Sequence, residues 1–201
     1  MRNVQILLLI VVVLLSCEPK KQPILGDTEW QRQQNADFKD ASKSPLTNKD
    51  RKSFRSLDFF PFDSTYIVSA KLKVTPDTPF FKMKTTTDRL SEERVYGIVS
   101  FTLNGQSYQL NVYQGKENLE DPEYIDYLFL PFFDDTNGNE SYGGGRYIDL
   151  RIPESDSILI DFNKAYNPLC VYNVKYSCPI VPRVNYLDSD VKAGMKNYIK
   201  K

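Results

Sequence analysis

Apolar and polar residues alternate along much of the chain beyond residue 65, with the two-residue period of a β-strand that buries one face. Residues 66–74 (YIVSAKLKV) and residues 146–152 (RYIDLRI) show this alternation, and residues 157–162 predict a further strand. Residues 128–133 are apolar at every position, which is typical of a strand covered on both faces. The pattern therefore predicts a sheet protein.

The clearest local signal is a β-hairpin around Asn104-Gly105, the dipeptide that two-residue type I′ turns prefer. Such a turn joins strands over residues 95–103 and 106–113. It pairs Leu103 with Gln106, Phe101 with Tyr108, Val99 with Leu110 and Gly97 with Val112. In that register the large residues share one face and small polar residues occupy the other, so the pattern and the turn agree.

The segment before these strands predicts short helices. Trp30, Phe38 and Ala41 recur near helical spacing, and Thr47 is a plausible N-cap, with Asp50 three residues on, for a short helix that ends at Phe54. Residues 75–94 contain prolines, threonines and mixed charges and predict a long loop. The expected fold class is mainly β, an antiparallel β-sandwich or barrel with a short N-terminal helix region.

The first residues predict an export signal rather than part of the fold. Residues 6–15 form an apolar run that is too short to span a bilayer but suits a signal-peptide core. It ends in Leu14-Leu15-Ser16-Cys17, which resembles the cleavage motif of bacterial lipoproteins. An ordinary signal peptide or a membrane stub with a chance cysteine is the alternative. We therefore expect a lipoprotein signal peptide over residues 1–17, lipidated at Cys17, a flexible tether over residues 18–28 and a single β-domain over residues 29–201.

Lipidation would make the membrane a partner and would locate the protein in the cell envelope. One acidic residue, Glu18, follows Cys17 instead of an acidic run, which favours the periplasmic side over the cell surface. Export leaves Cys170 and Cys178 as an even pair outside the cytosol. They are either a disulfide or two buried thiols.

The composition excludes several function classes. Lys and Arg number 26, equal to Asp and Glu, so no basic surface for nucleic acid is indicated. The absence of histidine removes Ser-His-Asp and Cys-His catalysis and histidine-bound zinc or haem. The turn over residues 134–140 is rich in oxygen ligands but lacks the spacing of a calcium loop, and the glycines at 143–145 lack the end of a phosphate loop. We predict no cofactor and no metal.

Arg146 shares its parity with Ile148 and Leu150, which directs its guanidinium toward the core. A buried guanidinium needs a carboxylate or an anionic ligand. Asp134, Glu140 and Asp161 are the candidate partners. Arg146 is thus either an internal brace or an anion-binding residue at the open end of a barrel.

Two functions remain open. The first is a lipid-anchored envelope protein that binds a small polar or anionic ligand through residues that share the region 134–167, namely Asp134, Thr136, Tyr142, Arg146, Asn163 and Asn167. The alternative is a hydrolase, whose acid–base groups without histidine would be Asp134, Glu140 or Asp161 with Tyr142 or Tyr166. A purely structural role and the oligomeric state are also undetermined.

Several long segments make the chain resemble the bacterial family of domain of unknown function 1684 (DUF1684), particularly lipoprotein members from the Bacteroidota. They read LFLPFFDDTNGNESYGGGRYIDLRI, DFNKAYNPLCVYN and YSCPI, and are joined upstream by SPL and TTTDR, over residues 37–196. The family's motif positions fall on Asp134, Thr136, Gly138, Tyr142, Gly145, Arg146, Tyr147, Asp161, Asn163, Tyr166, Asn167, Pro168, Cys170, Cys178 and Asn185.

The resemblance implies no activity, because the family has none established. This chain departs from the pattern at Met195, where many relatives carry an acidic residue. Some relatives without export signals keep both cysteines, which leaves the disulfide open.

Overall fold

The computed structural model describes residues 25–199. The predicted signal peptide (1–17), the lipidation at Cys17 and most of the tether (18–28) lie outside the described residues. Two α-helices, α1 (Glu29–Lys39) and α2 (Asn48–Ser53), precede the sheet. The strands are β1 (Ile67–Val74), β2 (Phe81–Lys84), β3 (Leu90–Leu103), β4 (Gln106–Gly115), β5 (Tyr127–Asp134), β6 (Arg146–Arg151), β7 (Ser157–Asp161) and β8 (Tyr186–Leu187). Single-turn 3₁₀ helices occupy Ser64–Tyr66, Glu117–Glu120, Phe162–Lys164, Leu169–Val171 and Arg183–Asn185.

The strands form one curled sheet, a half-barrel, with the order β6-β5-β4-β3-β1-β7. β2 pairs with the beginning of β3, and β8 adds a short parallel pairing to β5. All other strand pairs are antiparallel. The expectation of a mainly antiparallel β fold with a short N-terminal helix region is confirmed.

The central hairpin has the predicted register. Leu103 pairs with Gln106 and Val99 with Leu110, and the turn residues Asn104 and Gly105 have φ values of 52° and 80°. Both strands are longer than predicted, and a bulge interrupts the pairing beside Gly97. Because of this bulge, the C-terminal half of β3 packs in the main core, and the N-terminal half places Glu93 on the opposite face of the sheet.

The prediction of a loop over residues 75–94 is wrong. β2 occupies Phe81–Lys84, and β3 begins at Leu90. β2 buries only Met83 and places Lys82 opposite Glu92. An edge strand held largely by backbone bonds and cross-strand charge shows little hydrophobic alternation, so its sequence resembles a loop.

The helices form where the sequence predicts them. Thr28 caps α1 by accepting from the Gln31 backbone N–H, and Thr47 caps α2 by accepting from that of Asp50. Phe38 of α1 packs edge-on against Tyr172, with ring centroids 4.7 Å apart. Within residues 25–199, no helix has both the length and the apolar character needed to cross a bilayer.

The sheet has two apolar faces. One carries the main core, which includes Leu72, Val99, Phe132 and Ile160. The other carries a smaller cluster of Met83, Tyr113, Phe129, Tyr147 and Val181. β5 contributes to both, as its continuous apolar run predicts. The smaller cluster is only partly covered, and the cavity described below opens there.

Candidate functional site

Arg146, the first residue of β6, is completely buried in an internal network. Its Nη2 donates to Asp134 Oδ2 at 2.7 Å, and neither side chain is exposed. The guanidinium also donates to the backbone carbonyls of Val191 and Ala193. Arg146 therefore occupies the position of the internal brace, not the mouth of an open barrel, and it ties the end of β5 to the C-terminal segment.

The oxygen-rich turn after β5 is satisfied by its own residues. Asp134 Oδ1 accepts from the Thr136 backbone N–H at 2.9 Å and from its hydroxyl, and Thr136 Oγ1 lies 2.7 Å from Ser141 Oγ. Asn137 Oδ1 accepts from the Asp134 N–H at 2.8 Å. Within residues 25–199, no group of three or more acidic or cysteine side chains converges as metal ligands would.

The other predicted carboxyl groups have separate surroundings. Glu140 Oε1 lies 2.9 Å from Lys192 Nζ, and Asp161 Oδ2 lies 3.8 Å from Lys164 Nζ. Asp161 Oδ1 also accepts from the Asn163 side chain at 3.0 Å. Neither carboxyl group pairs with Arg146.

The predicted amides and Tyr142 are likewise dispersed. Asn163 bridges to the Asp63 backbone, donating to its carbonyl at 2.9 Å and accepting from its N–H at 3.0 Å. Buried Asn167 donates to the Lys196 carbonyl at 2.8 Å. Burial raises the pKa of Tyr142, and the nearby Cys170 and Cys178 add to the effect. Of all the predicted ligand-binding and catalytic residues, Tyr166 alone lines the cavity on the far face of the sheet.

That cavity has a volume of about 480 Å³. Its aromatic wall consists of Trp30, Tyr127, Phe129, Tyr147 and Tyr166. Its acidic and basic lining residues are Glu93, Asp149 and Lys164. The register places these groups together, because Tyr113 of β4 pairs with Phe129 of β5, which pairs with Asp149 of β6.

Two phenols converge on one carboxylate in this cavity. Tyr127 and Tyr166 both donate to Asp149 Oδ1, at 2.7 Å and 2.5 Å. Tyr166 is fixed by reciprocal backbone bonds with Tyr147, each 2.9 Å long. Burial, supported by the charge of Asp149, raises the pKa of both phenols, so they remain protonated donors at neutral pH.

Glu93 is the unusual group of the cavity. Its side chain is buried, with 6% of the residue exposed, and Oε1 accepts from Ser91 Oγ at 2.7 Å. Oε2 has no hydrogen-bond partner among residues 25–199. Burial raises the pKa of Glu93. An unpaired buried carboxylate oxygen costs stability. Glu93 is therefore a candidate to accept a hydrogen bond from a ligand.

Cys178 forms part of the cavity wall. The Cys170 backbone N–H donates to Cys178 Sγ at 3.2 Å, and both cysteines are free thiols in the structure. Burial raises the pKa of Cys178 to about 12. The Cys170 backbone thus contacts the Cys178 thiol, and the disulfide itself stays a prediction.

The sequence interpretation followed the face of β6 that carries Arg146, whereas the cavity lies on the other face. Parity places Tyr147 and Asp149 opposite Arg146, and the cavity lies on their side. A buried Tyr and an acidic residue two positions apart, opposite the apolar β5, were a usable signal. Trp30 and Glu93 gave none, because they lie on α1 and β3 and reach the cavity only through tertiary packing.

Comparisons with known proteins agree with this fold. The sequence profile of the family described as "Protein of unknown function (DUF1684)" matches residues 52–196. The solution NMR structure of an uncharacterized protein from Haloarcula marismortui is similar, with 32% sequence identity and a TM-score of 0.62. The match covers 83% of this chain and 94% of that chain. A comparison with curated proteins found no match.

Proposed function

This chain belongs to the DUF1684 family of proteins of unknown function, and on that premise we propose that it is a lipid-anchored cell-envelope protein whose β-domain binds a small polar ligand. The ligand occupies the cavity between α1 and the outer face of β3, β5 and β6. The observation that carries this proposal is the cavity itself, whose volume of about 480 Å³ falls within the usual range of small-molecule sites.

The chemistry of the cavity supports binding of a polar ligand. Aromatic walls supply contact area, while Glu93 and Asp149 supply fixed acceptors. Tyr127 and Tyr166 hold Asp149 in place through its Oδ1, so the carboxylate is preorganised. A mostly apolar pocket with a few convergent polar groups is the usual form of a binding site.

A polar ligand is better supported than an anionic one. The anionic alternative depended on Arg146, which is buried and occupied by Asp134 and backbone carbonyls. The cavity instead presents two carboxyl groups and Lys164, whose side chain is 56% exposed. Two carboxylates repel an anion more strongly than one solvated ammonium attracts it.

The geometry gives less support to the hydrolase alternative. That alternative named Asp134, Glu140 and Asp161 as its carboxyl groups, and none of them lines the cavity. Asp134 is committed to Arg146 and Glu140 faces Lys192, and neither lines the cavity. Ligand binding is therefore the function that we propose.

The lipid anchor and the envelope location are supported by the sequence around Cys17, as is membership of the Bacteroidota lipoprotein type. An anchored Cys17 followed by an eleven-residue tether would hold α1, and with it the cavity, within about 40 Å of the membrane surface. Such a location suits capture of a small solute in the envelope.

Trp30 offers a direct test of ligand binding, because it is the chain's single tryptophan and lines the cavity. The full chain in a polyoxyethylene detergent is titrated with methyl glucoside, cyclohexylmethylamine, cyclohexylmethanol and cyclohexanecarboxylate. We expect at least one compound to change Trp30 fluorescence saturably and to raise the unfolding temperature.

The matched variants are Asp149→Ala, which alters the cavity, and Asp126→Ala, which removes an exposed partner of Arg151. Asp149→Ala should weaken the response and Asp126→Ala should leave it unchanged. If no compound gives a saturable signal, or if both variants respond alike, binding in this cavity is refuted.

A further inference from the structure

We propose that the ligand of this cavity is a small organic cation, whose ammonium group is held by Glu93 and Asp149 while its apolar part contacts Tyr147, Phe129 and Trp30. This inference rests on the proposed function, since it names the chemical class of the ligand for the same cavity. Nothing in the DUF1684 description or in the similar structure names a ligand.

The first argument is the charge of the lining. Glu93 and Asp149 contribute two carboxyl groups, and Lys164 is the one cationic side chain among the described residues that line the cavity. The Lys164 side chain is 56% exposed, and its Nζ lies 3.8 Å from Asp161 Oδ2, which does not line the cavity. The charge of Lys164 is therefore shared with Asp161 and screened by water, and Asp149 is exposed as well, so the least screened charged group of the lining is the buried Glu93.

The second argument is the unpaired oxygen of Glu93. Ser91 satisfies Oε1, whereas Oε2 is buried with no donor among residues 25–199, and Glu93 lines the cavity. Leaving a buried acceptor unpaired costs free energy that a ligand donor recovers. A charged N–H donor recovers more than a hydroxyl, because the ammonium group adds Coulomb attraction to the carboxylate.

The third argument is the aromatic wall. Tyr147 packs edge-on against both Phe129 and Tyr166, with interplanar angles of 79° and 90°. These three rings line the cavity as two perpendicular pairs that share Tyr147. The face of an aromatic ring is negative and attracts an ammonium group, so this wall and the carboxylates favour the same ligand charge.

The neutral groups of the lining fit the same ligand. Gln34, Asn118 and Ser177 add side chains that accept as well as donate. Tyr127 and Tyr166 use their hydroxyl hydrogens in the bonds to Asp149, so toward any further group their oxygens act as acceptors. The cavity as a whole is richer in acceptors than in donors, which matches a ligand rich in N–H groups.

The test uses three probes that share a cyclohexyl frame and differ only in the polar group: cyclohexylmethylamine, cyclohexylmethanol and cyclohexanecarboxylate. Affinity is measured by Trp30 fluorescence on the full chain in a polyoxyethylene detergent. We expect the amine to bind roughly tenfold or more tightly than the alcohol, and the carboxylate to bind most weakly.

Glu93→Gln, which keeps the shape and removes the charge, should reduce amine affinity by about tenfold and alcohol affinity by a smaller factor. Glu92→Gln is the matched control, because Glu92 is adjacent in sequence, exposed and paired with Lys116 Nζ at 3.0 Å. Its amine affinity should equal that of the wild type.

The wild-type protein provides a second measurement that needs no folded variant. Amine affinity should fall as the pH is lowered through the raised pKa of Glu93, because the carboxyl group then gains a proton while the amine stays charged. The other ionisable groups that act on Glu93 are Arg89 and Glu117, which lie 3.6 Å apart and offset each other, and the phenols of Tyr113 and Tyr127. Burial raises the pKa of both phenols, which keeps them neutral over that range.

The outcomes separate this inference from the proposed function. If the alcohol or the carboxylate binds as tightly as the amine, the cation assignment is overturned while ligand binding stands. If amine affinity survives both Glu93→Gln and acidification, Glu93 does not hold the ammonium group and the inference fails. If none of the probes binds, the inference and the proposed function fall together.

Discussion

At the scale of single residues, the position of a buried charge decides whether it holds the fold or serves a ligand. Arg146 and Glu93 are both buried, but Arg146 has a carboxylate and backbone carbonyls around it, whereas Glu93 keeps one oxygen without a partner among the described residues. Asp134 balances the charge of Arg146 within the protein, although Nε of Arg146 has no hydrogen-bond partner among residues 25–199. Glu93 lines the cavity and Arg146 does not, which is why the functional proposals rest on Glu93.

Arg146→Ala should destabilise the protein by about 3–5 kcal/mol, because it leaves the buried Asp134 carboxylate without its partner. The measurement is urea unfolding followed by circular dichroism. Arg151→Ala is the matched control, since the Arg151–Asp126 pair is 49% exposed on each side and its loss should cost far less stability. Equal losses in the two variants would show that Arg146 is no brace.

Glu93→Gln should raise the free energy of unfolding at neutral pH. Burial raises the pKa of Glu93 in the folded state, so the folded protein holds this proton at pH values where the unfolded chain has released it. Stability therefore falls as the pH rises from the ordinary pKa of glutamate toward the raised one. Glu93→Gln does not lose this stability, because glutamine does not titrate. Its free energy of unfolding should therefore exceed that of the wild type at neutral pH and equal it at acid pH. Unfolding by urea across this pH range, with Glu92→Gln as control, measures the difference, and an advantage that persists in acid would contradict it.

At the scale of elements, the central hairpin shows how far local chemistry specifies structure. Asn104-Gly105 fixes the turn, and the alternation of the two flanking segments fixes which face is buried. β2 shows the opposite case. Its exposed charges give no periodic signal, and it exists as a strand because β3 offers a partner with Glu92 opposite Lys82.

Gly105→Ala tests the hairpin. Gly105 has a φ of 80°, and an added Cβ would meet nothing within 4 Å, so the whole penalty comes from the backbone conformation. We expect a loss of about 1–2 kcal/mol in thermal or urea unfolding. Gly143→Ala is the control, because Gly143 lacks a positive φ and its added Cβ would make ordinary contact at 3.4 Å. A neutral Gly105→Ala would mean that the type I′ turn is not required.

At the scale of the whole molecule, the curl of the sheet creates two separate interiors. The main core closes one face, and the aromatic cluster on the other face is covered only in part, by α1 and by the segment that carries Tyr166 and Cys178. The cavity therefore exists because α1 and the later segment leave part of the aromatic cluster uncovered. It needs residues from the N-terminal helix, three strands and the segments after β7.

The predicted lipid anchor is tested on the whole chain. When the chain is expressed with its own leader in a bacterium that processes lipoproteins, we expect the membrane fraction to contain it and Cys17 to carry diacylglycerol, as mass spectrometry of the N-terminal peptide would show. Cys17→Ser should lose the lipid and leave the membrane fraction. Cys170→Ser is the matched control and should remain lipidated. An unmodified Cys17 would end the lipoprotein hypothesis.

The sequence by itself determined the β class, the hairpin register, the cap at Thr47 and the inward direction of Arg146. These features depend on near neighbours in the chain, because side-chain direction and turn geometry repeat over two to four residues. It did not determine which of three carboxylates would meet Arg146, nor that Trp30, Glu93, Tyr127, Asp149 and Tyr166 would share one cavity. Those tertiary contacts bring together residues up to 136 positions apart in the sequence. They are set by the bulge, the curl of the sheet and the docking of α1, which no local pattern encodes.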